Sequence, residues 1–317
     1  MERRRNKQAE RRVDKVIAHA PAKINLVLEV EPLAAGEEKH RLTSLFCTTT
    51  LNDTLVFDFA PGREPFNAQV VLESAGFDVS FIDLNHNTLI KTVECFKREY
   101  GFGFLTPGTL RVQLIKSIPT RAGLGGGSSD AAALLRMLCW LGQVEPLSER
   151  SLKVARAVGA DVPFFLHAPK TGLCARMGGY GDEFIEAVPK PQMHLCLTKP
   201  ARGVATHRAF AAFEEQARAA TAAHAGATTR LAEALKGGQG LKEIAALCTN
   251  NLEPVATELV PEIASIQKML RACAGVLGVA MSGSGSALFA ICESAEAAQA
   301  CMRHCASQGL WAVAVQS

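Results

Sequence analysis

Seven consecutive residues, Gly123-Leu-Gly-Gly-Gly-Ser-Ser129, stand just ahead of the helix-forming run Ala131 to Leu141 and carry the clearest chemical signal in the chain. Glycines let the backbone approach a ligand closely, successive N–H groups can point inward, and the helix dipole favours an anion at that end. A polyphosphate is the natural guest. Ser128 and Ser129 add hydroxyls suited to phosphate oxygens or to a bound Mg²⁺. The loop is not a Walker A loop, because Gly-Lys-Ser/Thr is absent and it contains no lysine. Gly123, Gly125 and Ser128 nearly match the dinucleotide spacing G-x-G-x-x-G, but the third glycine is missing and no second strand precedes the acidic Glu145.

Two further residues have types that matter for group transfer. Lys23 lies inside an apolar strand-like run, where a lysine needs a partner or an open cleft. Asp161 follows Gly159-Ala160, a setting that is also ordinary turn or helix-cap chemistry. Cys301, His304 and Cys305 have the spacing of one helical face, but no second group of ligands stands nearby in sequence, so no metal centre is expected. The other cysteines are scattered, often in apolar stretches such as those holding Cys47, Cys139, Cys196 and Cys292, which suits reduced thiols better than disulfides.

These residues need a frame, and the hydrophobic pattern supplies one. Val16 to Glu31 and Thr48 to Phe59 read as strands. Asn87 to Tyr100 has helical periodicity with an asparagine able to cap it, and Leu110 to Ile115 alternates as a strand directly before the glycine loop. The order there is strand, glycine loop, helix. Further on, Leu195 to Thr198 reads as a strand, Thr206 to Ala223, Thr228 to Leu235 and Pro261 to Ala274 as helices, and Val276 to Met281, Ser282-Gly-Ser-Gly-Ser286 and Ala287 to Cys292 as strand, turn, strand. A helix from Ala295 and a strand from Trp311 to Val315 complete an α+β module. The Gly-rich stretch Met177 to Glu183 and Val188-Pro-Lys-Pro191 put a domain boundary near residue 172.

The chain has 317 residues, 48% hydrophobic and 21% charged, which fits two globular domains or one large α/β unit and points away from a disordered or fibrous class. Its formal net charge is only +3. Residues 1–15 hold Arg3, Arg4, Arg5, Lys7, Arg11, Arg12 and Lys15 against Glu2, Glu10 and Asp14, so the charge is concentrated in a basic leader, expected to be disordered, and the body carries no basic stripe for nucleic acid. No apolar run follows the leader as in a secretion signal, and no segment approaches a membrane span of about 20 apolar residues. A cytoplasmic protein without membrane or nucleic-acid partners is expected.

Pro119 to Ala132 resembles the central motif of the GHMP kinase superfamily. Ala20-Pro-Ala-Lys-Ile-Asn-Leu26 and Met281-Ser-Gly-Ser-Gly-Ser-Ala287 resemble the other two family motifs, in the family's order. Lys23-Ile-Asn-Leu, Gly-Leu-Gly-Gly-Gly-Ser-Ser-Asp130, Gly159-Ala-Asp-Val-Pro-Phe-Phe165 and Asn251-Leu-Glu-Pro254 are similar in particular to its diphosphocytidyl-methylerythritol kinase branch. The likeness runs from about residue 16 to the end.

The resemblance implies an α/β (α+β) two-domain GHMP kinase fold, with a ribosomal-protein-S5-domain-2-like ATP-binding domain over 16–172 and a ferredoxin-like domain over 173–317. It implies an enzyme of isoprenoid biosynthesis that transfers phosphate from ATP, with Mg²⁺, to the alcohol of a cytidyl diphosphate substrate, as a monomer or homodimer. Lys23 and Asp161 match the catalytic pair: a carboxylate orients or deprotonates the hydroxyl, and a lysine offsets negative charge developing in transfer. Pro119, Ala122, Gly123, Leu124, Gly125, Gly126, Gly127, Ser128 and Ser129 match the ATP loop, and Asn87 an adenine-side position, although a plain helix cap also accounts for it. Asn25, His40, Phe210, Gly283 and Gly285 match substrate-side positions, His40 at the cytosine end and Phe210 for stacking or simply for the core.

The family's Asp-Gly-Tyr-His is replaced by Gly36-Glu-Glu-Lys-His40, which removes one aromatic face expected around cytosine, worth roughly 1–3 kcal/mol by analogy with base stacking. Arg121, Gly178-Gly179 and Asn250 are milder departures. A GHMP kinase for another small alcohol, such as homoserine or a mevalonate-type intermediate, and a nucleotide-binding paralogue without catalysis are the competing readings.

Overall fold

A computed structural model of the chain describes residues 13–74, 87–101, 103–168 and 172–317. The basic leader lies outside them as far as residue 12, and from Val13 the chain is strand. It divides into two compact units, one built from residues up to Pro21, Asn52–Pro119 and Gly126–His167, the other from Ala22–Leu51, Thr120–Gly125 and Ala168–Ser317. Two long strands, β1 (Val13–Val30) and β2 (Leu42–Pro61), are divided between the units, and the glycine loop passes from one to the other between Gly125 and Gly126.

In the first unit the C-terminal half of β2 pairs antiparallel with β4 (Gly108–Lys116), which pairs parallel with β3 (Asn67–Ser74). Strand β4 alternates between buried positions and half-exposed or exposed ones, so Leu110, Val112 and Leu114 line one face. Helices α1 (Thr88–Tyr100), α2 (Gly126–Gly142), α3 (Glu149–Val158) and α4 (Val162–His167) complete the unit. Leu134, Leu135 and Leu138 of α2 are fully buried, as are Leu89 and Phe96 of α1 and Phe164 of α4. Each such side chain contributes about 1.5–3 kcal/mol by leaving water. Asn87 accepts from the Ile90 amide at 3.0 Å and caps α1, a contact worth about 1 kcal/mol. Helix α3 and its Ser148 cap are additions that the apolar periodicity did not flag.

In the second unit β5 (Cys174–Gly178) and β6 (Glu183–Ala187) form a hairpin whose first strand pairs with the N-terminal half of β2, and β8 (Thr249–Asn250) pairs parallel with β1. A separate antiparallel sheet has the order β11-β7-β10-β9, from Trp311–Gln316, His194–Lys199, Leu288–Cys292 and Val276–Met281. Helices α5 (Thr206–His224), α6 (Ala227–Lys236), α7 (Leu241–Leu247), α8 (Glu253–Leu259), α9 (Glu262–Ala272) and α10 (Ala295–Ser307) accompany these strands. Residues from β7, β10, α8, α9 and α10 share one apolar core. Among the described residues no helix is long and apolar enough to cross a membrane.

Candidate active site

Three segments far apart in sequence meet on one hydroxyl in the second unit. Ser282 Oγ donates to the Gly123 carbonyl at 2.9 Å and accepts from the Asn25 amide at 3.2 Å. The contact is close enough to demand glycine, because Gly123 has φ +78 and a Cβ there would come within 2.2 Å of the Ser282 carbonyl oxygen. Two more backbone bonds tie the segments: Lys23 N–H to the Leu124 carbonyl and Ala287 N–H to the Ala122 carbonyl, each at 3.0 Å.

These bonds sort the polarity of the loop. The carbonyls of Ala122, Gly123 and Leu124 all accept from the protein, whereas among the described residues the amides of Gly123, Leu124 and Gly125 donate to nothing. Helix α2 starts at the next residue, and its first N–H groups have no carbonyl one turn back to bond. Successive unpaired amides ahead of a helix N-terminus are an anion nest. The buried side chains of Ala122 and Leu124 serve the core, so their part in such a nest is through backbone alone.

Lys23 is almost fully buried on β1 and donates from Nζ to Asn25 Oδ1 at 2.7 Å, with its ammonium 4.4 Å from the centre of the Phe46 ring. Asn25 in turn donates to Ser44 Oγ at 2.8 Å, and Ser44 donates to the Val27 carbonyl at 2.5 Å. The lysine is thereby held in one pose.

Asp161 belongs to the first unit, in the turn that opens α4, and is half-buried. That turn sits beside the phosphate-loop helix, since a Cβ on Gly159 would lie 3.7 Å from Ser128 Oγ. Thr88 Oγ1 donates to the Gly127 carbonyl at 2.9 Å, which sets the capped start of α1 against the same helix turn. Asn87 uses its side-chain oxygen on its own helix.

Behind the first turn of α2 is a buried charge cluster. Lys116 at the end of β4 donates to Asp130 Oδ2 at 2.8 Å and to Asp53 Oδ2, and a Cβ on Gly126 would lie 3.2 Å from its Nζ. Asp53 Oδ1 also accepts from the amides of Ser117 and Ile118 at 2.6 and 2.8 Å, whereas Asp130 Oδ1 has no partner among the described residues. Burial opposes the Lys116 charge, but the two carboxylates outweigh it and hold its pKa above the ordinary value. Desolvation pushes Asp130 up to about 8, against the attraction of Lys116. Desolvation outweighs that attraction, so Asp130 keeps its proton to a higher pH than an ordinary carboxylate.

His40 and Phe210 come together in the second unit with ring centres 5.4 Å apart, and Phe213 meets the histidine edge-on at 5.7 Å. His40 Nδ1 is 2.8 Å from the Glu31 carbonyl, which can only accept, so Nδ1 carries the proton. Gly283 and Gly285 lie in the turn held by Asn250, whose Nδ2 donates to the Met281 and Gly283 carbonyls at 2.9 and 2.8 Å.

Family models describe this chain on both sides of its middle: the GHMP kinases N terminal domain matches residues 87–168 and the GHMP kinases C terminal matches residues 231–309. A 4-diphosphocytidyl-2-C-methyl-D-erythritol kinase of Rhodospirillum rubrum is 33% identical over 94% of this chain and 91% of that relative. The chain belongs to the GHMP kinases. A relative of the same name from Desulfitobacterium hafniense is 39% identical over 60% of this chain and 62% of its own length. The crystal structure of a 4-(cytidine 5'-diphospho)-2C-methyl-D-erythritol kinase superimposes with a TM-score of 0.70 at 29% identity, covering 95% of this chain and all of that one. As a GHMP kinase the chain is an ATP-dependent small-molecule kinase with the mixed α/β fold of that family.

Several residues of this kinase site were not picked out from sequence. Lys116 and Asp53 are 63 positions apart and meet only once β2 and β4 pair. Ser44 and Thr88 are single hydroxyls in unremarkable runs. The word Asn251-Leu-Glu-Pro254 proves to be scaffolding: Asn251 bonds both backbone groups of Val30 at 2.9 and 2.8 Å, and Glu253 accepts from the Met281 amide at 3.0 Å.

Proposed function

We propose that this kinase transfers the γ-phosphoryl group of ATP directly to the 2-hydroxyl of 4-diphosphocytidyl-2-C-methyl-D-erythritol, in the cytoplasm. The single observation that carries the nucleotide part is the divided polarity of the loop, with its carbonyls taken by protein and the amides of Gly123, Leu124 and Gly125 unpaired. Such a surface attracts phosphate oxygens rather than cations. In this reading Pro119 to Ser129 cradle the phosphates, and Asn87 lies on the adenine side.

Asp161 orients the acceptor hydroxyl and takes its proton as the oxygen–phosphorus bond forms. Lys23, held by Asn25, offsets the charge that spreads over the transferring oxygens. Little covalent chemistry falls to the protein, so position and field account for most of the rate. Mg²⁺ bound with the nucleotide would neutralise phosphate charge; the hydroxyl of Ser129, buried on α2 with no partner among the described residues, is a hard oxygen donor of the kind it takes.

The protonation of His40 supports a cytidyl acceptor. With Nδ1–H given to the Glu31 carbonyl, the neutral form of the ring offers Nε2 as a hydrogen-bond acceptor, complementary to the exocyclic amine of cytosine and mismatched to the carbonyl that uracil has there. His40 and Phe210 form the aromatic contact that the absent tyrosine leaves, while Asn25, Gly283 and Gly285 belong to the acceptor side. The test is turnover of labelled ATP by the purified protein against a panel holding the cytidyl diphosphate alcohol, its uridyl analogue, homoserine and mevalonate. Phosphate transfer to the cytidyl compound alone supports the assignment; preferential transfer to homoserine or mevalonate would replace it.

A further inference from the structure

Three cysteines converge that have no part in the proposed phosphoryl transfer. Cys196 on β7 and Cys301 and Cys305 on α10 have Sγ atoms that all lie within 4.8 Å of one another, and all three are buried. Among the described residues no other group of three metal-binding side chains converges in this way. Cys301 and Cys305 are four apart on one helix and both are buried, whereas the His304 side chain between them is exposed. The histidine grouped with them by sequence spacing is therefore replaced by a strand cysteine about a hundred positions earlier.

A fourth thiol is close. Cys292 on β10 stands two residues beyond Ala290, the cross-strand partner of Cys196, so it projects from the same sheet face toward α10. Cysteine can serve a core as a small apolar filler, but fillers do not gather sulfurs on sulfurs. Sulfur donors on one soft cation at the usual distance of about 2.3 Å stand about 4 Å apart, close to the spacing already present. A route inward also exists: a surface cavity of about 600 Å³ is lined by Lys268, Met269, Cys273, Cys301 and His304. Met269 is itself a soft donor at the mouth.

We propose that Cys196, Cys301 and Cys305 bind one thiophilic d¹⁰ cation, Cu(I) as a trigonal site or Zn(II) as a tetrahedral one completed by Cys292. The ion would tie α10 to strand β7 and displace the thiol protons on binding. This site is independent of phosphoryl transfer, so its test does not depend on the acceptor assignment.

The experiment uses the full-length protein, reduced, stripped with a chelator and kept anaerobic. It is titrated with Co(II) as a spectroscopic stand-in for Zn(II), with Zn(II) against a chromophoric chelator, and with Cu(I) against a colorimetric ligand. One equivalent bound, with a thiolate-to-metal charge-transfer band and X-ray absorption counting three sulfurs for Cu(I) or four for Zn(II), is the expected result. Which titration saturates distinguishes the two ions. Cys301→Ser should weaken binding by more than the roughly 10–100-fold that loss of a supporting partner causes, and Cys95→Ser on α1 should leave it unchanged. Absence of sulfur ligation in the native protein with either ion overturns the proposal without recourse to a variant, as does undiminished binding in folded Cys301→Ser.

Discussion

Lys116 Nζ lies 2.8 Å from Asp130 Oδ2, inside the protein and directly behind the first turn of the phosphate-loop helix. Asp130 ordinarily titrates near 3.8 and is pushed up to about 8 here, chiefly by desolvation. Between those two values the folded state holds a proton that the unfolded state has released. Stability from this group is therefore complete below the unfolded pKa and is lost as pH rises toward about 8. Denaturant unfolding at a series of pH values should show that decline, and Asp130→Asn, which mimics the protonated acid, should flatten it. An equally steep decline in Asp130→Asn would assign the effect to other groups.

Removing the ammonium is a harsher change. Lys116→Met leaves Asp53 and Asp130 facing each other without a counter-charge, at a cost of about 3–5 kcal/mol, as for other broken buried ion pairs. Combining it with Asp130→Asn should recover part of the loss at alkaline pH, where the carboxyl would otherwise ionise beside Asp53. A double variant no more stable than Lys116→Met would show that the two groups do not interact energetically.

Asp161→Asn keeps shape and removes the proton acceptor. Turnover should fall by roughly 10²–10⁴-fold, the range typical of general-base loss, while ATP affinity measured by calorimetry stays close to that of the native protein. Loss of both together would reject the assigned role.

Gly123→Ala challenges the close approach of the loop to Ser282. The added methyl meets a carbonyl oxygen at 2.2 Å and the residue must hold φ +78, so the backbone has to move. Both stability and ATP affinity should drop, stability by more than about 1 kcal/mol. Gly238→Ala, also at positive φ but with nothing within 4 Å of its Cβ, separates the conformational part from the collision.

His40→Ala should raise KM for the cytidyl substrate roughly tenfold, the worth of one hydrogen bond of about 1.4 kcal/mol, and should narrow the preference for cytidyl over uridyl acceptors. Unchanged discrimination in the variant would move base recognition elsewhere.

What could be read in the sequence was what depends on neighbours in the chain. The glycine loop, the helix it opens, the Asn87 cap and the strand–turn–strand around Ser282 all follow from contiguous residues, although that helix begins at Gly126 rather than Ala131, so Gly126 to Ser129 of the expected loop form its first turn. The short pieces were harder. Strands β5 and β6 flank glycines that read as a domain break, and α4 is a six-residue helix whose pattern is too short to declare a period. The Lys116 cluster and the sulfur cluster were invisible for another reason: each draws on residues that only sheet register and helix packing bring within reach.

The polar chain under Lys23 has one further implication. Each hydroxyl and amide in it has a fixed number of protons to give: the lysine gives to Asn25, Asn25 to Ser44, and Ser44 to the Val27 carbonyl, which ends the relay. The sequence of donors is one-way, so Asn25→Asp, a change of a single atom, cannot simply be accommodated. It would turn a giver into a taker, force the Ser44 hydroxyl to turn from the Val27 carbonyl toward residue 25, and trap the lysine in an ion pair of its own.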